Sequence, residues 1–150
     1  MNEFYQMPLF LKLKVRDIEK SKEWYTNVLN FNSVFDFPDT EGTTAMTHLR
    51  GAKYQDLMLI KDKKANSTDS VIINLFSNDI HSIYQAALDN KTIIIQEPTV
   101  QPWNAKELTI KDLDGYIFTK LNFRKPTFSE VGGMKCFFLY RTYVFVVYCE

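Results

Sequence analysis

The sequence predicts an α+β fold: duplicated βαβββ modules forming a curved mixed-sheet cup with helices on the outer face. Three observations predict it. The stretch from Phe10 to Phe31, "FLKLKVRDIEKSKEWYTNVLNF", passes from strict period-two alternation through an aspartate into a helical run. Part of that pattern returns as "VIINLFSNDIHSIYQAALDN", Val71 to Asn90, with Asp17 and Asp79 in corresponding places about 62 residues apart. Each helical run is then followed by three strand-like runs. One such unit has too little sheet to close a cup, whereas two side by side can enclose a small molecule.

The first strand is read over Pro8 to Arg16. Its alternation assigns Leu11, Leu13 and Val15 to the helix-side core and Phe10, Lys12 and Lys14 to the cup or solvent. Asp17 is a good N-cap and Glu19 places negative charge in the first turn, where the helix dipole favours it. Trp24, Tyr25, Val28 and Leu29 supply the apolar helical face, and Asn30 can take the left-handed conformation that ends a helix. "NSVFDF" reads as the second strand, and "PDTEG" has turn-forming chemistry. "TTAMTHLR" and "QDLMLIKD" read as strands three and four about a turn near Gly51.

The run "KDKKANSTDS", Lys61 to Ser70, is polar and unpatterned, a linker between copies. Its "NST" at Asn66 is read as linker polarity. In the second copy "SVIINLF" is a strand, and "SNDIHSIYQAALDN" is a helix capped near Ser77 or Asp79. "KTIIIQEP" is a strand stopped by Pro98, and "KELTIKD" and "GYIFTKLNF" are two strands joined by the turn "DLDG". The chain thus divides into one domain over 1–124, with module 1 at about 7–62 and module 2 at about 70–124, and a β-prone C-terminal extension over 125–150.

Composition narrows the function classes. In 150 residues, 45% apolar and 15% aromatic content fits a packed core. Lys+Arg and Asp+Glu are both 18, which argues against nucleic acid as a partner and against electrostatic capture of a strongly cationic ligand. The two cysteines, Cys136 and Cys149, make neither a disulfide framework nor metal-site spacing. The start "MNEFYQMPLF" lacks the pattern of a secretory signal, so the expected compartment is the cytoplasm. The tail's apolar run is broken by Arg141 and is too short to span a membrane. No Gly-x-Ser-x-Gly elbow and no phosphate-cradling glycine loop is present.

Three features resemble the vicinal-oxygen-chelate superfamily of glyoxalases, extradiol dioxygenases and fosfomycin- and bleomycin-resistance proteins. "LKVRDIEKSKEWYTNVLNF" resembles its first strand and helix, with Asn30 where the family's "vLGF" has glycine. "QPWNAKELTIKDLDGYIF" resembles the segment "pWG-x-REF-x-v-x-DPDGN": Trp103, Glu107, Asp112, Asp114 and Gly115 match, and Asn104, Leu113 and Tyr116 depart. The duplicated βαβββ order is the third feature. The likeness covers roughly residues 7 to 124.

Metal-using members of that superfamily hold a divalent cation through His, Gln or Glu on the first and last strand of each unit. Carried onto this sequence, those positions are Phe10, Leu59 or Ile60, Ile72 and Thr119, and none is a usual metal ligand. The resemblance therefore implies the metal-free, bleomycin-resistance-like branch: no metal, no cofactor and no catalytic residue. The partners expected are a small hydrophobic or aromatic molecule in the cup and a second copy of the chain in a homodimer, with no membrane and no nucleic acid.

The ligand-binding candidates are Phe10, His48, Ile72, Trp103, Glu107 and Thr119. Trp103 can stack on a planar ligand at the cup mouth, or cap the sheet edge as packing. His48 lies two residues from Arg50 in a strand, and one of them can face the cup, although a lone strand histidine is more often satisfied core or surface. His81, in a helix's first turn, is read as exposed. Glu107 can anchor a ligand amine or serve structure alone. Phe10, Ile72 and Thr119 make the cup floor apolar with one hydroxyl, which suits such a ligand or a cup filled by its own side chains. Two alternatives stand beside this reading: a glyoxalase- or dioxygenase-type metalloenzyme with non-standard ligands such as His48 and Glu107, and a structural or partner-binding module.

Overall fold

The computed structural model describes Met7, residues 9–67, 69–123, 136–138 and 147–149. The order is β1 (Phe10–Val15), α1 (Ile18–Leu29), β2 (Asn32–Pro38), β3 (Thr44–Arg50), β4 (Asp56–Lys61), β5 (Ile72–Phe76), α2 (Ile80–Asp89), β6 (Ile93–Val100), β7 (Ala105–Lys111) and β8 (Ile117–Phe123). The backbones of β9 (Cys136–Phe138) and β10 (Val147–Cys149) pair antiparallel; the rest of the expected C-terminal extension lies outside the described residues.

The duplication is literal. One sheet runs β1-β4-β3-β2 and the other β5-β8-β7-β6, each with its first strand parallel to its last and the other pairings antiparallel. Each first strand therefore ends up at a sheet edge, because a parallel partner can be reached only after a crossover.

The helices form where their caps dictate. Asp17 caps α1, its carboxylate accepting from the Lys20 amide at 3.2 Å, and Asn30 closes the helix at φ 59°. Asp79, rather than Ser77, caps α2, accepting from the Ser82 amide at 3.0 Å. Ile18, Trp24, Tyr25, Val28 and Leu29 of α1 are buried on the helix side of the first sheet with Leu13, Val15, Leu57 and Leu59. Ile80, Ile83 and Ala87 of α2 join Ile73, Leu75, Leu108, Ile110 and Phe118 in the same cluster.

The two modules meet through these helix-side surfaces. Trp24 Nε1 donates to Thr92 Oγ1 at 2.9 Å, Arg16 Nε to Asp114 Oδ1 at 2.7 Å, and the Tyr116 hydroxyl to the Lys14 carbonyl at 3.0 Å. The rings of Tyr25 and Phe118 meet edge to face at 5.6 Å. The opposite face of each sheet carries exposed apolar side chains, including Phe35, Phe37, Ile72 and Phe76.

One boundary differs from expectation. Pro98 does not stop the strand after α2: β6 runs through it to Val100. The strand lies at the sheet's edge, and its pairing with β7 is irregular between Gln96 and Thr99, so the missing N–H breaks no regular ladder bond.

Candidate functional site

The face turned away from the helices is built by strand register. In the first sheet Phe10, Asp56 and Arg50 lie side by side across β1, β4 and β3, and Lys12, Met58 and His48 form the next row. His48 and Arg50 thus point to the same side. His48 Nε2 lies 2.8 Å from Asp56 Oδ1, and Arg50 Nε donates to the same oxygen at 2.8 Å. All three side chains are largely withdrawn from solvent, and Asp56 is 3% exposed. The Nε2 of His48 is therefore already engaged in a hydrogen bond to a buried carboxylate. Asp56 was not singled out from sequence, although a signal existed: a carboxylate opens the strand that follows the alternating pair His48 and Arg50.

In the second sheet Glu107 and Thr109 on β7 face Leu121 and Thr119 on β8, and Thr119 lies beside Asn74 of β5. Thr119 is 5% exposed, and its hydroxyl is 3.0 Å from that of Thr109. Ile72 opens the edge strand and is 54% exposed. Trp103 stands in the turn before β7, is 60% exposed, and donates from its indole nitrogen to Glu107 Oε1 at 2.9 Å. That bond fixes the exposed ring next to a carboxylate on the same surface, leaving an aromatic face and an acceptor together.

Ile72, Trp103, Glu107 and Thr119 thus share the second sheet, while Phe10 and His48 share the first. No strand pairing joins the two sheets among the described residues. His48 and Glu107, which a non-standard metal site would combine, sit on different sheets, and each has its own partner.

The register also revises one position. Leu59 is fully buried on the helix side, so it cannot face the cup. Thr119 pairs with Asn74, two residues past Ile72, and the equivalent step past Phe10 is Lys12, which pairs with Met58. Met58, rather than Leu59 or Ile60, is the counterpart of Thr119. The four positions then hold phenyl, thioether, sec-butyl and hydroxyl groups, a donor set that does not fit a divalent cation needing imidazole or carboxylate. Among the described residues no group of three or more His, Cys, Asp or Glu gathers at metal-binding distance.

The segment from Pro102 to Tyr116 positions this surface. Asn104 takes φ 61° and Gly115 φ 98°, both left-handed. At Gly115 an added Cβ would collide with Ser67, whose hydroxyl donates to the Asp114 carbonyl at 2.9 Å. Asp112 accepts from the Asp114 and Tyr116 amides at 3.0 and 2.7 Å and from the Tyr25 hydroxyl at 2.6 Å. Burial outweighs those donors and holds its carboxyl above the usual range.

A family model described as Glyoxalase/Bleomycin resistance protein/Dioxygenase superfamily matches residues 9–119. Among solved structures, TioX from Micromonospora sp. ML1 aligns with TM-score 0.64 at 15% identity, over 77% of this chain and 98% of that one. A glyoxalase/bleomycin resistance protein from Streptomyces sp. CB03234 aligns with TM-score 0.60 at 18% identity, over 75% and 97%. The hypothetical protein SA1046 from S. aureus aligns with TM-score 0.59 at 24% identity, over 75% and 94%. These likenesses establish the shared fold. No curated protein matches the chain.

Proposed function

This chain belongs to the Glyoxalase/Bleomycin resistance protein/Dioxygenase superfamily, and we propose that within it the protein binds a small hydrophobic or aromatic molecule without a metal. The observation that carries this reading is the donor set at Phe10, Met58, Ile72 and Thr119, which offers a cation one neutral hydroxyl where metal-using relatives supply several strong ligands. The ligand's place is the sheet surface beside Trp103 and Glu107: the indole offers a stacking face, and Glu107 offers an acceptor to an amine or hydroxyl.

The working form is a homodimer in the cytoplasm. β1 and β5 are edge strands, and the exposed Phe35, Phe37, Ile72 and Phe76 lie on surfaces that a second copy can cover. Among the described residues no helix is long and apolar enough to cross a membrane.

Native mass spectrometry of protein taken from cells tests the reading. It should find dimers retaining a small organic molecule and no metal. Stoichiometric metal with turnover of a substrate would favour the metalloenzyme.

A further inference from the structure

A cavity lies on the other side of the second sheet, away from Trp103. It opens between the C-terminal end of α1 and the N-terminal end of α2 and has a volume of about 560 Å³. Val28, Leu29, Ile83 and Ala86 supply apolar wall, Gln55 and Lys120 bring polar atoms to it, and the one carboxylate in the lining, Asp79, is engaged by the Ser82 amide and hydroxyl.

Two features mark it as more than a packing fault. Lys120 is 3% exposed, on the helix side of β8 beside Leu75 and Leu108. Its ammonium lies 5.5 Å from the Phe31 ring centroid and has no hydrogen-bond or ion-pair partner among the described residues. The Phe31 ring offsets only part of the cost of withdrawing that charge from water, and among the described residues no counter-ion stands beside it. Gln55 supplies the second feature. Its Nε2 donates to the Phe76 carbonyl at 3.2 Å, which fixes the amide, yet its Oε1 is buried with no partner. An unpaired cation and an unpaired acceptor therefore line one cavity, and an apolar wall stands beside them. The complement is an anion that also carries a donor and an apolar body.

We propose that this cavity binds a small hydroxycarboxylic acid with an apolar substituent, its carboxylate facing Lys120 and its hydroxyl donating to Gln55 Oε1. The carboxylate supplies the missing counter-charge, the hydroxyl satisfies the orphaned oxygen, and the substituent lies against Val28, Leu29 and Ile83. Burial alone lowers Lys120 to about 8, so the group is largely cationic at neutral pH and loses its charge in mildly alkaline solution.

Calorimetric titration with mandelate, phenylacetate and mandelamide tests the site. At pH 7 mandelate should saturate one site per chain. Phenylacetate, lacking the hydroxyl, should bind about fivefold more weakly, and mandelamide, lacking the charge, should not bind measurably. Lys120→Met should weaken mandelate by about tenfold or more. In the wild-type protein mandelate affinity should also fall between pH 7 and about pH 9.5 as Lys120 deprotonates, a readout that needs no variant. Absence of saturable mandelate binding at millimolar concentration, equal affinity in Lys120→Met, equal affinity for mandelamide, or an affinity indifferent to that pH change would each overturn the proposal. Equal affinity for phenylacetate would overturn the role given to Gln55. The sheet surface at Trp103 is separate, so failure here leaves the reading of that surface standing.

Discussion

The hydroxyl of Tyr25 donates to Asp112 Oδ2 at 2.6 Å, tying the helix of the first module to the last hairpin of the second across 87 residues of sequence. Both groups are buried, and the Tyr25 ring also meets Trp24, Phe31 and Phe118 edge to face. Tyr25→Phe keeps those ring contacts and deletes one hydrogen bond to a buried carboxylate, so it should lower stability by about 1–3 kcal/mol. Removing a donor that favours the ionised form should raise the Asp112 pKa further above the usual range. The variant then holds the Asp112 proton to higher pH, so its deficit should grow as pH rises through the range in which Asp112 ionises. Denaturant melts of both proteins across acidic to neutral pH check this, and a deficit that shrinks with rising pH would reject the account.

How much of this was legible in sequence varies with what each residue depends on. The caps Asp17, Asp79 and Asn30 were readable because capping is local chemistry, and the alternation in β1 gave the buried side correctly. Two departures from the family pattern resolve in the same way: Asn30 and Asn104 stand where the family has glycine, and both sit at positive φ, which asparagine tolerates. Pro98 misled because a strand's place at a sheet edge is a property of the whole sheet. The His48–Asp56–Arg50 cluster and the counterpart role of Met58 depend on inter-strand register, which a single sequence does not specify. Lys120 falls in a strand whose alternation places it inward, so its burial was latent in the pattern, but its want of a partner was not.

Lys120 should destabilise the empty protein. A lysine held near 8 when folded and near its ordinary value when unfolded gives up a proton on folding, so stability rises with pH between those two values. Below that window the buried charge costs about 3 kcal/mol. Lys120→Met, which keeps the chain length and removes the charge, should be more stable than wild type by about 2 kcal/mol at pH 7. The gap should narrow as pH rises toward 10. Denaturant melts at neutral and alkaline pH decide it: a wild type that is the more stable at pH 7, or a gap that does not change with pH, would show that the ammonium is compensated.

Trp103 and Trp24 should report differently on a ligand of the sheet surface. Trp103 is 60% exposed and held only through Glu107, whereas Trp24 is 5% exposed and locked to Thr92. A planar ligand stacking on Trp103 should quench or shift indole fluorescence in wild type and in Trp24→Phe, and the response should vanish in Trp103→Phe. Glu107→Gln keeps an acceptor for the indole but removes the charge, so a cationic ligand should bind it roughly tenfold more weakly. A response that persists in Trp103→Phe and disappears in Trp24→Phe would move the ligand off this surface.

Dialysed protein should hold no stoichiometric zinc, nickel, manganese or iron, and adding these ions should not raise its melting temperature through binding linkage. A divalent ion gives up its water only for anionic or strongly basic ligands. Phe10, Met58 and Ile72 supply none. The Thr119 hydroxyl is neutral and already paired with Thr109 at 3.0 Å. His48 is not free to substitute, because Asp56 holds its Nε2 at 2.8 Å while also engaging Arg50, and displacing it would break a buried charged cluster. Glu107 lies on the other sheet with Trp103 bound to one oxygen. A site built from these two would have to break both arrangements and bring the sheets together. Elemental analysis finding about one metal ion per chain, lost in His48→Ala or Glu107→Ala, would show that it does and would establish the metalloenzyme in place of metal-free binding.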